Sequence, residues 1–148
     1  MLTVTQEVYD AVVDHALGGQ PEEVCGIVGG SYGEERSHAT AVRRTENVAE
    51  TPRSTYRIDP AEQLDVMEDI EQQAADGGAR ESADVVGFYH SHPRGPPRPS
   101  ATDTAQATWE GYSYLIVVLS GKHPFVGSWR WTGERFEPEV MAIRGGPD

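Results

Sequence analysis

The sequence predicts an α/β fold in which helices flank a central β-sheet. Segments rich in β-branched and aromatic residues alternate with segments that keep the three- and four-residue spacing of amphipathic helices. The strand-like segment at 83–90 is apolar at nearly every position, which is typical of a central strand buried on both faces. A chain of 148 residues has the size of one globular domain, so we expect a single domain over residues 1–148.

The first half of the chain predicts three strands and two helices. Helix starts are indicated by Thr5, and by Asp59 followed by proline at the first helical position. Glycines at 29, 30 and 33 indicate a turn between the second and third strands. In chain order the predicted elements are an edge strand at 2–4, a helix from Thr5 that ends at 18–19, strands at 24–29 and 38–48, and a helix from Asp59 that ends at 77–78.

The second half predicts four more strands and one helix. Residues 93–99 hold four prolines and must form a loop, after which Ser100 can cap a short helix. Pro138 cannot donate to a ladder, so it predicts that the last strand lies at an edge of the sheet. The predicted elements are a strand at 83–90, a helix at 100–109, a strand at 114–119, and a closing hairpin of 125–131 and 136–141.

The charge balance limits the environment and partners of the chain. There are 24 acidic and 12 basic residues, the net charge is −12, and Lys122 is the only lysine. Such charge repels itself in dilute buffer but is screened at molar salt, which indicates a halophilic cytoplasm. With no basic stripe, no apolar run of about 20 residues, no secretion signal and one cysteine, we expect a cytoplasmic protein that binds neither nucleic acid nor membrane.

His90 and His92 are the strongest candidate metal ligands. Two residues apart at the end of a strand, they project to one side and can face one metal ion. Asp103 follows at the opening of the next helix and supplies a carboxylate. Two nitrogens and one oxygen leave a fourth tetrahedral position for water, as in catalytic zinc sites, so zinc is the expected metal.

Two alternatives to a metal site remain open. Ser100 and Asp103 stand at capping-box spacing, so both can simply begin a helix. Cys25 suggests a cysteine protease with a histidine from elsewhere in the chain. A cysteine inside an apolar strand is more often an inert small hydrophobe, and this acidic chain offers little to stabilise a thiolate.

The ordered motifs of the chain resemble those of the MPN+ (JAMM) metalloproteases. The matching segments, together with Asn47, are Glu23-Val24-Cys25-Gly26, Tyr56-Arg57-Ile58-Asp59-Pro60, Gly87-Phe88-Tyr89-His90-Ser91-His92-Pro93 and Ser100-Ala101-Thr102-Asp103. The resemblance implies an MPN fold, a cytidine-deaminase-like architecture of three layers with a mixed central sheet flanked by helices. It also implies that His90, His92 and Asp103 bind zinc.

The resemblance further assigns Glu23 as the general base and Ser100 as the residue that supports the oxyanion. Glu22 is a rival for the base, but Glu23 directly precedes the Val-Cys-Gly of the motif. Neighbouring residues on a strand point to opposite faces, so only one of the two can reach the metal.

The implied function is a zinc-dependent isopeptidase that cuts ubiquitin-like modifiers from target proteins after a C-terminal diglycine, as single-domain archaeal desampylases do. The modifiers and their conjugates are then the expected partners. Two alternatives remain: a peptidase that processes a sulfur-carrier protein, and a non-catalytic MPN interaction module. The complete set of candidate ligands favours an enzyme over the module.

The charge excess predicts that stability depends steeply on salt. We expect the melting temperature to rise strongly between low salt and about 1–2 M KCl, because the Debye length falls from about 10 Å at 0.1 M to about 3 Å at 1 M. Thermal unfolding followed by circular dichroism across a salt series measures this. A melting temperature indifferent to salt would contradict the halophilic interpretation.

Overall fold

The computed structural model describes residues 1–75 and 84–145, which form an α/β fold with a mixed sheet and few helices. No helix in these two ranges is both long and apolar enough to cross a membrane. The elements are β1 (Leu2–Thr5), α1 (Gln6–Gly19), β2 (Cys25–Ser31), β3 (Ser37–Thr45), α2 (Pro60–Ala75), β4 (Asp84–His92), α3 (Ala101–Gln106), β5 (Ser113–Val118), β6 (Phe125–Trp131), β7 (Phe136–Glu139) and β8 (Met141–Arg144).

The eight described strands form one sheet in the order β7-β6-β5-β4-β2-β3-β1-β8. Strand β4 runs parallel to β5 and antiparallel to β2, so it lies at the centre. The two edge strands, β7 and β8, are joined by a single residue, Val140. The sheet is therefore curved until its edges come close together, and it is nearly closed. The three-layer arrangement stays a prediction.

Two hydrophobic clusters bury the helices against this sheet. Strand β4 contributes Val86 and Tyr89 to the first cluster and Val85 and Phe88 to the second, so it is buried on both faces as its composition predicts. Each fully buried large apolar side chain contributes roughly 1.5–3 kcal/mol. Helix α1 supplies Val8, Val12 and Ala16 to the first cluster, and α2 supplies Met67 and Ile70 to the second.

The predicted helix starts are confirmed. The Thr5 hydroxyl accepts a hydrogen bond from the Val8 amide (3.1 Å), and the Asp59 carboxylate accepts one from the Glu62 amide (3.2 Å). Helix α1 ends at Gly19 as expected. The predicted end of α2 at 77–78 lies outside the described residues.

The predicted helix at 100–109 is too long. Helix α3 ends at Gln106, because Ala107 turns to extended backbone (ψ 132°) and the amide of Trp109 is bound by the Tyr114 hydroxyl (3.1 Å) instead of a helical carbonyl. Residues 107–112 therefore form the connection from α3 to β5.

Two predictions about the edges of the sheet are wrong. The predicted single strand at 136–141 is two strands, and β1, predicted to be an edge strand, lies between β3 and β8. After Glu139 the chain crosses to the other edge of the sheet, where β8 pairs in parallel with β1. The carbonyl of Val140 accepts a hydrogen bond from the Leu2 amide (2.9 Å) at this crossing. The prediction of an edge at Pro138 is confirmed, since β7 is an edge strand.

Gly29 and Gly30 lie inside β2 and not in the predicted turn. The pairing register of β2 shifts at these residues, which is a bulge. A Cβ at Gly30 would lie 1.9 Å from the His38 carbonyl oxygen, so only glycine allows β2 and β3 to approach this closely.

Arg130 and Glu139 form a largely buried ion pair between β6 and β7. The two groups lie 2.7 Å apart, with their side chains only 14% and 5% exposed. The guanidinium also donates to the carbonyls of Gly111 (2.9 Å) and Gly33 (3.1 Å), so it joins the β2–β3 turn to the loop before β5. The Arg130 guanidinium thus links two loops that are distant in sequence to the edge of the sheet.

Removal of this cation should destabilise the fold. Arg130→Met leaves the buried Glu139 carboxylate without its partner, and we expect the free energy of unfolding to fall by about 3–5 kcal/mol. The matched control is Arg135→Met, which makes the same charge change at an exposed pair with Glu137 (68% and 51% exposed) and should cost less than about 1 kcal/mol. Denaturant unfolding at one salt concentration compares the two, and equal losses would contradict the role assigned to Arg130.

Candidate metal centre

Strand β4 places both candidate histidines in the core of the molecule. The strand continues through His92, past the predicted end at residue 90, because its last residues still pair with β5. His90 and His92 are each only 2% exposed. Two residues apart on one strand, they point to the same face.

His90, His92 and Asp103 bring three ligand atoms to one point. The Nε2 atoms of the histidines lie 3.1 Å apart, and the Asp103 Oδ2 atom lies 3.2 Å from Nε2 of His90 and 3.0 Å from Nε2 of His92. Tetrahedral zinc, with bonds of about 2.0–2.1 Å, separates its ligands by about 3.3–3.4 Å. The triangle of donor atoms, hereafter the ligand triangle, therefore fits a small tetrahedral ion.

Asp103 is held by the first turn of α3. The Ser100 hydroxyl accepts a hydrogen bond from the Asp103 amide (3.0 Å), and the Asp103 carboxylate accepts one from the Ser100 amide (2.8 Å). These reciprocal bonds are a capping box, so the predicted role of the two residues in beginning the helix is confirmed. The same Asp103 oxygen, Oδ2, accepts the capping bond and lies in the ligand triangle, so the capping role does not exclude a ligand role.

Glu23 lies beside the ligand triangle at the entrance to β2. One of its carboxylate oxygens and a ring nitrogen of each histidine all lie within 4.8 Å of one another. Its Oε1 atom is buried and has no hydrogen-bond partner among the described residues. Such an unpaired buried oxygen is costly unless a further group meets it there. Glu22, the rival residue, is exposed.

Backbone contacts fix the position of Glu23. Its amide donates to the Pro52 carbonyl (2.7 Å), and its carbonyl accepts from the Asn47 side chain (2.9 Å). The next residue, Val24, donates from its amide to the Ser91 hydroxyl (2.8 Å), between the two histidines. Glu23 is thereby anchored to the strand that carries the ligand triangle.

Burial and charge separate the protonation states of these groups. Burial raises the pKa of Glu23 to about 7, despite the opposing effect of His92. Burial also lowers the pKa of His90, which favours the neutral ring that metals bind. Burial alone would raise the pKa of Asp103, but its hydrogen bonds with the His90 and His92 rings lower it. Burial alone would lower the pKa of His92, but its hydrogen bonds with Asp103 and the Pro96 carbonyl raise it. The Asp103 carboxyl group is thus anionic.

The loop after β4 orients His92. Its Nδ1 atom lies 2.8 Å from the Pro96 carbonyl oxygen, a contact typical of metal-binding histidines. A Cβ at Gly95 would lie 2.9 Å from the His92 ring, so the loop packs against the ring only with glycine there. The sequence identified this segment as a loop but did not predict its contact with His92.

The other reactive residues singled out from the sequence lie outside the ligand triangle. Burial raises the pKa of the Cys25 thiol to about 11, and its contacts are with Thr45 and the Glu46 carbonyl oxygen. A protonated thiol so bonded is a poor nucleophile. The Nδ1 atom of His15 lies 2.7 Å from the Tyr89 hydroxyl.

Two adjoining cavities share part of their lining, and no residue of the ligand triangle lines either of them. The larger, of about 350 Å³, has an aromatic lining that includes Phe88, two residues before His90 on β4, and Trp109. The second, of about 290 Å³, shares Tyr56, Arg57 and Gln106 with the first. Together they form an open groove along the segment 48–58 and the end of α3, hereafter the side groove.

Comparisons with known proteins place this fold and site among described relatives. Residues 5–132 match the family described as prokaryotic homologs of the JAB domain. The chain is 38% identical over 146 residues to a desampylase of Haloferax volcanii, covering 96% of each protein. It is 31% identical over 125 residues to the CysO-cysteine peptidase of Mycobacterium tuberculosis, covering 83% of this chain and 77% of the relative.

A solved structure shows the same fold over nearly the whole chain. The solution structure of a Desulfitobacterium hafniense protein superposes with a TM-score of 0.82 and 28% sequence identity. The superposition covers 99% of this chain and 94% of the other.

Alanine variants of the ligand triangle should lose metal. We expect wild type loaded with Zn²⁺ to retain about one ion per chain after gel filtration, and His90→Ala, His92→Ala and Asp103→Ala to retain far less, since each removes one of three ligands. The control is His123→Ala, which changes an exposed histidine and should keep the ion. Metal content is measured by mass spectrometry, and full retention by any triangle variant would remove that residue from the site.

Proposed function

The chain belongs to the family of prokaryotic homologs of the JAB domain, and from this membership we propose that it is a zinc-dependent isopeptidase that releases ubiquitin-like modifier proteins by cutting after their C-terminal diglycine. The observation that carries the proposal is the buried ligand triangle with the unpaired Glu23 oxygen beside it. The relatives support the substrate class, because one is named a desampylase and another a CysO-cysteine peptidase.

The ligand set supports zinc as the metal. His90 and His92 supply nitrogen and Asp103 supplies an anionic oxygen, which is the mixed set of catalytic zinc sites. When bound, the ion would act as a Lewis acid that polarises the scissile carbonyl and lowers the pKa of a water molecule to near 7. The three residues hold and orient the ion, and their burial keeps bulk water away from it.

Glu23 acts as the base and then as the acid. Its carboxylate takes a proton from the attacking water and later returns it to the nitrogen of the departing amine. Burial raises the pKa of Glu23, which makes its carboxylate readier to accept a proton than an exposed glutamate. Its buried Oε1, with no partner among the described residues, is the atom available for this work.

Ser100 stabilises the oxyanion that develops at the scissile carbonyl. Its hydroxyl oxygen accepts the Asp103 amide hydrogen, which leaves the hydroxyl hydrogen to donate elsewhere. A single donor of this kind contributes about 3 kcal/mol to lowering the barrier. Ser100 thus both begins α3 and contacts the reacting group.

The side groove receives the extended tail of the modifier. It begins at Phe88, about 7 Å along β4 from His90, and continues between the segment 48–58 and α3. An extended chain there can align its main chain while its side chains enter the two cavities. Glycine has no side chain, so we expect a diglycine tail to bring its last peptide unit closer to the ligand triangle than larger residues would allow.

A second candidate function uses the same chemistry on a sulfur carrier. The similarity to the CysO-cysteine peptidase favours it, since release of an amino acid from a carrier tail needs the same ligand triangle and the same base. A non-catalytic interaction module is disfavoured, because such a module has no need of a buried carboxylate with a pKa near 7 beside three converging ligand atoms.

The similarity to a Haloferax protein also supports a halophilic archaeal source, in agreement with the net charge of −12. We propose a cytoplasmic enzyme whose modifier substrates are present at high salt.

The role of Glu23 separates catalysis from metal binding. We expect Glu23→Gln to keep zinc at the wild-type level and to lower kcat by at least about 100-fold, because the amide cannot move a proton. Glu22→Gln is the matched control, one residue away and exposed, and should retain full turnover. Gel-based cleavage of a diglycine-linked conjugate, with metal analysis of each variant, gives both readouts. A Glu23→Gln protein that turns over normally would refute the assignment.

The proposed function predicts a strict preference for the diglycine tail. A conjugate whose final glycine is changed to valine should be cut at least about 100-fold more slowly in kcat/KM, since a β-branched side chain next to the scissile bond hinders close approach of the main chain to the ligand triangle. The valine conjugate must keep the same modifier and target lysine. Equal values for the two conjugates would indicate a general peptidase.

A further inference from the structure

The two histidines of the ligand triangle are oriented by different contacts. His92 has its Nδ1 atom 2.8 Å from the Pro96 carbonyl oxygen. The Nδ1 atom of His90 is buried and has no hydrogen-bond partner among the described residues. Metal-binding histidines almost always use this second nitrogen to fix the ring. Another contact must therefore orient His90.

The ring of Tyr56 lies flat against His90. The two ring centroids are 4.3 Å apart and the planes differ by 21°, which is a stacked arrangement. In the described ranges the only other aromatic contact of His90 is with His92, at 5.0 Å and 60°. An imidazole that binds metal through Nε2 must keep its plane aimed at the ion. A flat surface against its face blocks the rotation that would turn Nε2 away.

Tyr56 is itself held by one amide side chain. Asn47 donates to the Thr55 carbonyl (3.0 Å) and accepts from the Arg57 amide (3.1 Å), so it binds the residues on both sides of Tyr56. The same Asn47 nitrogen donates to the Glu23 carbonyl (2.9 Å). Asn47 therefore fixes the backbone at Tyr56 and at Glu23 relative to each other.

We propose that Tyr56 is a positioning residue that orients His90 by stacking, since the described residues offer the His90 Nδ1 atom no hydrogen bond. The inference rests on the proposed metal site and not on the proposed substrate. It assigns the role to the ring face of Tyr56 and not to its hydroxyl group.

Zinc affinity of three variants tests this proposal. Tyr56→Phe keeps the ring and should bind Zn²⁺ within about twofold of wild type. Tyr56→Leu removes the flat face and should weaken binding about 10-fold to 100-fold, the usual effect of losing a contact that orients a ligand. The matched control, Trp109→Leu, removes another aromatic ring from the same cavity, one that contacts Phe88 instead of His90, and should leave affinity near wild type. Competition with a chromophoric chelator measures the dissociation constants.

A spectroscopic readout separates orientation of the ligand from general loss of structure. The Co²⁺-loaded Tyr56→Phe protein should keep the wild-type visible absorption, and the Tyr56→Leu protein should show a shifted or weakened band at the same metal saturation. Circular dichroism of the metal-free proteins checks the fold, and Tyr56→Met replaces Tyr56→Leu if the latter is unfolded.

The proposal would be overturned if Tyr56→Leu, or Tyr56→Met in its place, kept the zinc affinity and the Co²⁺ absorption of wild type. Equal weakening in Tyr56→Phe would also overturn it, because the hydroxyl would then be responsible. Both readouts are independent of conjugate cleavage, so a failure of the proposed substrate leaves them interpretable.

Discussion

The buried carboxylate of Asp103 is the constraint on which the site depends. A carboxylate taken out of water costs several kcal/mol unless charge and hydrogen bonds replace its hydration, and this chain already carries a net charge of −12. Its described partners are two histidine rings and the Ser100 amide. One of those rings, His90, is itself driven toward the neutral form by burial. We propose that a cation held between the three side chains would supply further positive charge beside this carboxylate.

The fold meets this constraint by bringing separate chain segments to one strand. Strand β4 carries both histidines at the centre of the sheet, and the capping box of α3 delivers Asp103 to them. The Val24 amide bonds the Ser91 hydroxyl and thereby fixes Glu23 beside the same strand. Main-chain contacts therefore position Glu23, the proposed base, and Asp103, a candidate ligand. Such contacts are less mobile than long side chains.

Local patterns predicted which side chains come together better than they predicted the connections between strands. The His90 and His92 pair, the Asp103 cap and Glu23 were identifiable because each lies at a strand or helix end with a short, specific motif around it. The pairing of β8 with β1 was not predictable, since it joins residues about 140 positions apart. The sequence of residues 136–141 is equally compatible with one strand beside β6 and with two strands at opposite edges of the sheet. The stacking of Tyr56 on His90 was missed for the same reason, because contacts across the chain leave no periodic signal.

The most direct test of the proposed metal centre is whether cleavage depends on the metal alone. Wild-type protein is treated exhaustively with a chelator, dialysed and assayed on a diglycine-linked conjugate, then assayed again after addition of one equivalent of Zn²⁺, with a thiol-alkylated sample beside it. We expect activity to be abolished by the chelator, restored by zinc and unaffected by alkylation, because Cys25 is buried and protonated. Full activity in the metal-free protein would contradict a metal-dependent mechanism.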